Sequence, residues 1–112
     1  MLIFKIFRPS EWQSLHVQGD TDGAPIDIAD GYIHFSTAFQ VVETAEKHFK
    51  DAGDLLLLAL DGDTLGDDLR WEPSRGGQLF PHLYRKLLLA DVLWARAYPQ
   101  TPDGHLLPEG VK

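Results

Sequence analysis

The chain has 112 residues, the size of one ordinary domain, and 44% of them are hydrophobic while 24% are charged. This composition is typical of a globular protein with one core and excludes intrinsic disorder. A net charge of −7 repels a phosphate backbone, so we expect no nucleic-acid partner. The absence of cysteine excludes a disulfide framework, a thiol nucleophile and a cysteine-bound zinc site.

The hydrophobic stretches are short. The longest is Leu55–Leu60, whereas a helix that crosses a bilayer needs about 20 apolar residues. Residues 1–8 are too short and too interrupted by charge for a secretion signal. We therefore expect a cytoplasmic protein without a membrane partner. Residues 1–98 are expected to form a single domain and residues 99–112 a tail on its surface, and the oligomeric state stays open.

The first third of the chain predicts two strands, a helix and a loop. Residues 2–7 are rich in β-formers and predict a strand, and Pro9 begins a short helix that ends near Gly19. Residues 20–29 combine Asp, Gly and Pro, which indicates an irregular loop. Residues 32–35 then predict a short strand.

A longer helix is predicted from Thr37 to about Asp51. Thr37 and Gln40 have the spacing of a capping box, and the apolar residues that follow lie on one helical stripe. Gly53 ends this helix. The continuous apolar run Leu55–Leu60 then predicts a central strand that is buried on both faces.

The remaining elements are predicted to be mainly strands. They cover residues 69–72, 79–84 and 92–98, with a partly helical alternative for residues 87–94. The acidic turn at residues 61–68 lacks the ligand pattern of a calcium loop. This order of elements indicates an α+β domain whose helices pack on a mixed or antiparallel sheet.

Residues 30–37, which read DGYIHFST, form a first candidate site. Alternate side chains of a strand share a face, so Tyr32, His34 and Ser36 lie on one face and the apolar residues between them on the other. A phenol, an imidazole and a hydroxyl thus lie near a helix N-terminus, where free N–H groups favour an anion. The competing interpretation is structural: Ser36 or Thr37 caps the helix, and His34 is an ordinary half-buried residue.

Residues 71–84 form a second candidate site, which combines aromatic, carboxylate, guanidinium and imidazole groups. Its diglycine allows the backbone to approach a ligand closely. The residues of interest are Trp71, Glu72, Arg75, Gly77, His82 and Tyr84. The competing interpretation is a β-hairpin with the diglycine at its turn, Phe80 in the core and a Glu72–Arg75 ion pair at its rim.

The sequence predicts no metal site and identifies no cofactor. His34, His48 and His82 lack the spacing of a chelating pair. The chain also lacks a P-loop, a dinucleotide-binding glycine motif and a serine-hydrolase elbow.

Taken together, the two segments resemble the bacterial and plant family known as domain of unknown function 952. The resemblance extends over about residues 2–98 and rests on Lys5, Trp12, DGYIHFST, Gln40, Thr44, Trp71, Glu72, Gly77 and FPHLY. The family's fold is similar to that of the ADP-ribosyltransferase superfamily, whose members hold NAD in a cleft between two small antiparallel sheets. RNA 2′-phosphotransferases within it have a similar strand, on which His34 matches the second of two histidines.

This resemblance implies an ADP-ribosyltransferase-like fold and a transferase or hydrolase that acts on NAD or an ADP-ribosylated substrate. Glu72 would stabilise the positive charge that develops on the ribose, and Arg75 would contact the pyrophosphate. We predict Glu72 and His34 as catalytic residues. The predicted ligand-binding residues are Tyr32, Ser36, Thr37, Trp71, Arg75, Gly77, His82 and Tyr84.

Two other functions stay open at this stage. One is a module that binds a nucleotide or small metabolite without turnover, and the other is a structural or interaction protein whose polar cluster is a hydrogen-bonded brace. The enzyme hypothesis and the binding-module hypothesis both require His34 and the segment from Glu72 to Tyr84 to meet at one cleft. A role for Glu72 in charge stabilisation further requires an ionised carboxylate, with hydrogen-bond donors or Arg75 nearby.

Overall fold

Antiparallel sheets and short helices alternate along the chain in the computed structural model, which describes residues 1–111. The elements are β1 (Leu2–Phe7), α1 (Pro9–Gln18), β2 (Asp20–Thr21), α2 (Pro25–Asp30), β3 (Ile33–His34), α3 (Val41–His48), β4 (Leu55–Asp61), β5 (Leu69–Pro73), β6 (Leu79–Leu83), β7 (Leu87–Leu88), β8 (Val92–Tyr98), β9 (Gln100–Thr101) and β10 (Gly104–His105). The predicted α+β class is therefore confirmed.

Strand β4 is the centre of the sheet β1–β4–β8. Its side chains alternate between two apolar clusters: Leu58 and Leu60 enter one, and Leu57 and Ala59 enter the other. All four of these residues have no exposed surface. The prediction of a central strand buried on both faces is confirmed, because an apolar run without polar alternation must be covered on both sides.

A second sheet, β3–β6–β5, packs beside the first. Two backbone hydrogen bonds between Phe4 and Ser36, of 2.8 and 2.9 Å, join β1 to the end of β3. Ile33, Leu69 and Leu83 face the cluster that also contains Leu58. This sheet consequently has one apolar face, while its other face is free for polar side chains.

Helix α3 covers the other side of the first sheet. Thr37 N–H donates to Gln40 Oε1 (3.0 Å) and Gln40 N–H donates to Thr37 Oγ1 (3.3 Å), so the predicted capping box forms. The helix is shorter than predicted: a turn precedes Val41, and Phe49 leaves the helical region with φ of −128°. Val41 and Ala45 pack with β4, as the stripe indicated.

The prediction of a loop over residues 20–29 is wrong in part. Its first residues pair with β7, and Pro25–Asp30 form helix α2. Pro25 occupies the first helical position, where no N–H is needed, and Asp27 Oδ2 accepts a hydrogen bond from Ala24 N–H (2.8 Å). Of residues 87–94, for which the sequence leaves a partly helical alternative open, only 89–91 are helical. They form one 3₁₀ turn between strands β7 and β8.

The segment after Tyr98 forms the hairpin β9–β10 and then returns to the core. Val111 is buried in the same cluster as Tyr98, and His105 Nε2 lies 2.8 Å from the carbonyl oxygen of Gly53. Among residues 1–111, no helix is long and apolar enough to cross a membrane.

Candidate functional site

The outer face of sheet β3–β6–β5 carries an aromatic and imidazole cluster. The register places His34 opposite His82, and their ring centroids are 5.4 Å apart. The ring of Tyr32 lies 4.7 Å from that of His34 and 4.2 Å from that of His82. Residues that are far apart in the sequence therefore become neighbours through strand pairing.

His34 belongs to a hydrogen-bonded group that we call the Asp27 network: Lys5, Asp27, Asp30 and His34. Asp27 Oδ1 lies 2.6 Å from His34 Nδ1 and accepts a hydrogen bond from His34 N–H (3.0 Å). Lys5 Nζ lies 2.7 Å from Asp27 Oδ2, and Asp30 Oδ2 lies 2.9 Å from His34 Nε2. The imidazole is thus fixed in position from both of its nitrogens.

The central ion pair of this network is removed from water, since Lys5 is 5% exposed and Asp27 1% exposed. Burial alone would raise the pKa of Asp27, but the His34 hydrogen bond and the Lys5 ammonium lower it to about 2. Burial lowers the pKa of Lys5, against the opposing effect of Asp27. Each charge consequently depends on the other for compensation.

His82 belongs to a separate group, the Glu72 network: Glu72, His82 and Tyr84. Tyr84 OH donates a hydrogen bond of 2.6 Å to Glu72 Oε1, and His82 Nδ1 lies 2.9 Å from the same oxygen. The Tyr84 and His82 hydrogen bonds lower the pKa of Glu72, and the Glu72 contact raises the pKa of Tyr84. The Glu72 carboxylate is therefore ionised at neutral pH.

A cleft of about 910 Å³ opens beside the two histidines, and both of them line it. Its charged lining residues are Lys5, Arg8, Glu11, Asp30 and Arg75. Lys5 and Arg75 are each paired with a carboxylate outside this lining, Asp27 and Glu43 respectively. Ser36 and Thr44 contribute hydroxyl groups to the same wall.

Several predicted site residues lie elsewhere. Tyr32 and Tyr84 line a separate cavity of about 320 Å³, and Glu72 lies behind His82, outside the lining of the larger cleft. Thr37 caps α3. Gly77, with φ of 77°, forms the hairpin turn, and Trp71 alternates with Glu72 and so lies on the opposite face of β5.

The prediction of a Glu72–Arg75 ion pair at the rim of the hairpin is wrong. Arg75 Nε lies 2.7 Å from Glu43 Oε1, and Arg75 Nη2 donates a hydrogen bond of 3.1 Å to Thr44 Oγ1. The reason is the 3₁₀ turn at residues 75–77, which places Arg75 beside α3 while Glu72 pairs across the strands. The other features of the hairpin are present, including the buried Phe80.

Sequence reasoning missed Asp27 and Glu43, and it included Asp30 as the first residue of the segment DGYIHFST without giving it a role. Asp27 carried a usable signal, because proline followed two residues later by an acidic residue is typical of the first turn of a helix. Glu43 carried none beyond its place on the polar side of α3. Among residues 1–111, no group of three or more histidine, aspartate or glutamate side chains is arranged to hold a metal ion.

Residues 6–95 match the family described as Protein of unknown function (DUF952). The chain belongs to this family. The crystal structure of protein CC0527 from Caulobacter crescentus is 45% identical to this DUF952 chain and has a TM-score of 0.90 over 94% of this chain and 92% of that one. The solution NMR structure of CC0527 gives 45% identity and a TM-score of 0.83 over 93% and 90%.

A variant of CC0527 with two introduced methionines is similar to the same degree, with 44% identity and a TM-score of 0.90 over 94% of this chain and 92% of that one. No curated protein matches the chain. The comparisons thus give this DUF952 chain a family and a fold, while the family's description states no activity. A function has to be inferred from the cleft itself.

Proposed function

We propose that the cleft binds a small anionic molecule of nucleotide or ADP-ribose size, with His34 and His82 facing it. The observation that carries this proposal is the convergence of two histidines, each held by a carboxylate through Nδ1, on one wall of a cleft of about 910 Å³. Small-molecule sites are typically concave, of this size, and lined by a few convergent polar groups.

The charge of the lining supports an anionic ligand. Arg8 and Arg75 line the cleft with partly exposed guanidinium groups, whereas acidic residues outnumber basic ones by 17 to 10 in the whole chain. Such guanidinium groups inside an otherwise acidic surface attract small anions to the cleft. The acidic exterior disfavours long nucleic acids, whose phosphates would also contact it.

The orientation of His82 supports a direct contact with the ligand. Glu72 holds Nδ1, and within residues 1–111 nothing forms a hydrogen bond with Nε2 of His82. An imidazole that is fixed through one nitrogen presents the other in a defined direction. His34 differs, since its Nε2 is occupied by Asp30, which is exposed and therefore replaceable.

A second candidate function is cleavage or transfer at such a ligand, including the NAD- or ADP-ribose-related activity that the ADP-ribosyltransferase resemblance implies. The Glu72–His82 pair favours it, because a carboxylate that orients an imidazole is a recurrent device of general acid–base catalysis. Because Glu72 lies behind His82, its role in this candidate is to orient His82 and to stabilise its protonated form.

Calorimetry and thermal shift with ADP-ribose, NAD, AMP and adenosine test the binding proposal. A ligand at one hundred times its Kd should raise the free energy of unfolding by about 2.7 kcal/mol. His82→Gln should weaken binding by about tenfold or more, because it replaces a fixed imidazole at the contact. The matched control is His16→Gln, on the exposed side of α1. The proposal is wrong if the protein binds none of these four probes.

Glu72→Gln tests the second candidate. Turnover of NAD or of ADP-ribose, followed by proton NMR, should fall by about 100-fold, since the loss of a group that acts through a general base has this order of effect. The melting temperature should stay within about 2 °C, because active-site charges are often held against stability. A loss of about 5 °C or more with unchanged ligand binding would instead identify Glu72 as a structural brace.

A further inference from the structure

Arg75 links the β5–β6 turn to helix α3 at the wall of the cleft. Its guanidinium lies over the Phe80 ring, 5.0 Å from the centroid, and Nη2 donates to Thr44 Oγ1. Arg75, Thr44, Ser36 and Phe80 all line the cleft. The flat guanidinium is therefore held between an aromatic ring and a hydroxyl, with its edge near the ligand space.

The hydroxyl groups of Thr44 and Ser36 lie beside Arg75, and their hydrogen-bond partners fix which of them donates. Thr44 Oγ1 donates a hydrogen bond of 3.1 Å to the carbonyl oxygen of Gln40. Ser36 Oγ, which lies 3.0 Å from Thr44 Oγ1, must then act as the donor in that pair. Thr44 Oγ1 accepts from both Ser36 and Arg75, so the hydroxyl hydrogens of Ser36 and Thr44 are both used within the protein. Arg75 is therefore the group at this corner of the cleft that has N–H groups to offer a ligand.

The carboxylate that meets Arg75 comes from the protein's own surface. Glu43 Oε1 lies 2.7 Å from Arg75 Nε, and the Glu43 side chain is 58% exposed. Nε itself is buried and makes no hydrogen bond of good angle with any residue in 1–111. The Nε–Glu43 pair is thus close in distance but poorly aligned for a hydrogen bond, and an ion pair with so exposed a carboxylate contributes little to stability.

We propose that a phosphate group of the ligand replaces Glu43 at Arg75, so that Glu43 competes with the ligand for this guanidinium. The inference rests on the proposed binding function and assigns the phosphate end of the ligand to the guanidinium of Arg75, which Thr44 holds in place. Phosphate suits the fork of arginine because two parallel N–H···O bonds form at once. Glu43, by contrast, approaches a single buried nitrogen.

The test compares AMP with adenosine, its phosphate-free counterpart, by calorimetry on the full chain. Glu43→Gln should tighten AMP binding about three- to tenfold, because it removes a competing negative charge. Arg75→Gln should weaken AMP binding about tenfold or more. Adenosine binding should stay unchanged in both variants. The matched control is Glu46→Gln, which removes the same charge from the same helix, on a residue that has no ion pair with Arg75.

The result that overturns the inference is AMP affinity that falls or stays constant in Glu43→Gln, or that rises equally in Glu46→Gln. Equal weakening of AMP and adenosine by Arg75→Gln would also overturn it, since it would indicate a general disturbance of the cleft. If Arg75→Gln does not fold, Arg75→Lys retains the charge without the fork, and it should still weaken AMP selectively. Failure of all probes to bind the parent protein would refute the binding function itself.

Discussion

The two three-stranded sheets of this protein use their faces differently. Sheet β1–β4–β8 is covered by apolar clusters on both faces of its central strand, whereas sheet β3–β6–β5 has one apolar face and one that carries His34 and His82. Lys5 connects the two: it lies in the otherwise apolar strand β1, and its ammonium reaches Asp27. The first sheet is thus held by non-directional apolar burial, whereas Lys5 and the polar face of the second sheet depend on partnered charges.

The two sheets therefore differ in how much the free energy of unfolding depends on any single residue. Burying a leucine side chain contributes about 1.5–3 kcal/mol irrespective of the direction in which it packs. A buried ion pair adds little net stability, but loss of one partner is expensive because the other charge stays uncompensated. The first sheet should therefore tolerate conservative apolar exchange, while the Asp27 network should tolerate hardly any single change.

Asp27→Asn should give the largest effect, a loss of about 3–5 kcal/mol in the free energy of unfolding, because Lys5 is left buried without a counter-charge. Urea denaturation measures it. Asp22→Asn is the matched control, since Asp22 pairs with Lys86 at 3.1 Å on the surface, and such a pair contributes about 0–1 kcal/mol. Similar losses in the two variants would show that the Asp27 pair is not desolvated.

Leu58→Ala should lower the free energy of unfolding by about 3 kcal/mol, within the usual range of about 2–5, by leaving a cavity between the sheets. Leu93→Ala on β8 is the control, because Leu93 is 58% exposed and its truncation should change stability by about 0.5 kcal/mol or less. A small effect at Leu58 would mean that the cluster refills the cavity, and the contrast between the two sheets would weaken.

Acidification should produce the smallest of the three effects. The pKa of Asp27 is lowered from 3.8 to about 2, so its contribution to stability is fully present above pH 4 and is lost as the pH falls towards 2. A shift of this size corresponds to about 2–3 kcal/mol. Denaturation at pH 5, 4 and 3 should show a steeper loss in the parent than in Asp27→Asn. Parallel curves would contradict this assignment.

Local patterns predicted much of this fold. The β-formers of β1, the apolar run of β4 and the capping box before α3 each depend on neighbours a few residues away, and all three are present. Helix α2 was missed because its six residues resemble a turn in composition. Its decisive signals, Pro25 and Asp27, are those of a helix start without the apolar stripe that normally follows.

The candidate site divides in the same way. The sequence by itself determined that the side chains of Tyr32 and His34 are neighbours and that Glu72, His82 and Tyr84 are near each other, because side-chain alternation and hairpin formation are local. Only the tertiary structure decided that His34 lies opposite His82, that Lys5 meets Asp27, and that Arg75 pairs with Glu43 rather than Glu72. Those contacts follow from sheet register and from packing between distant segments, and no short-range pattern encodes either.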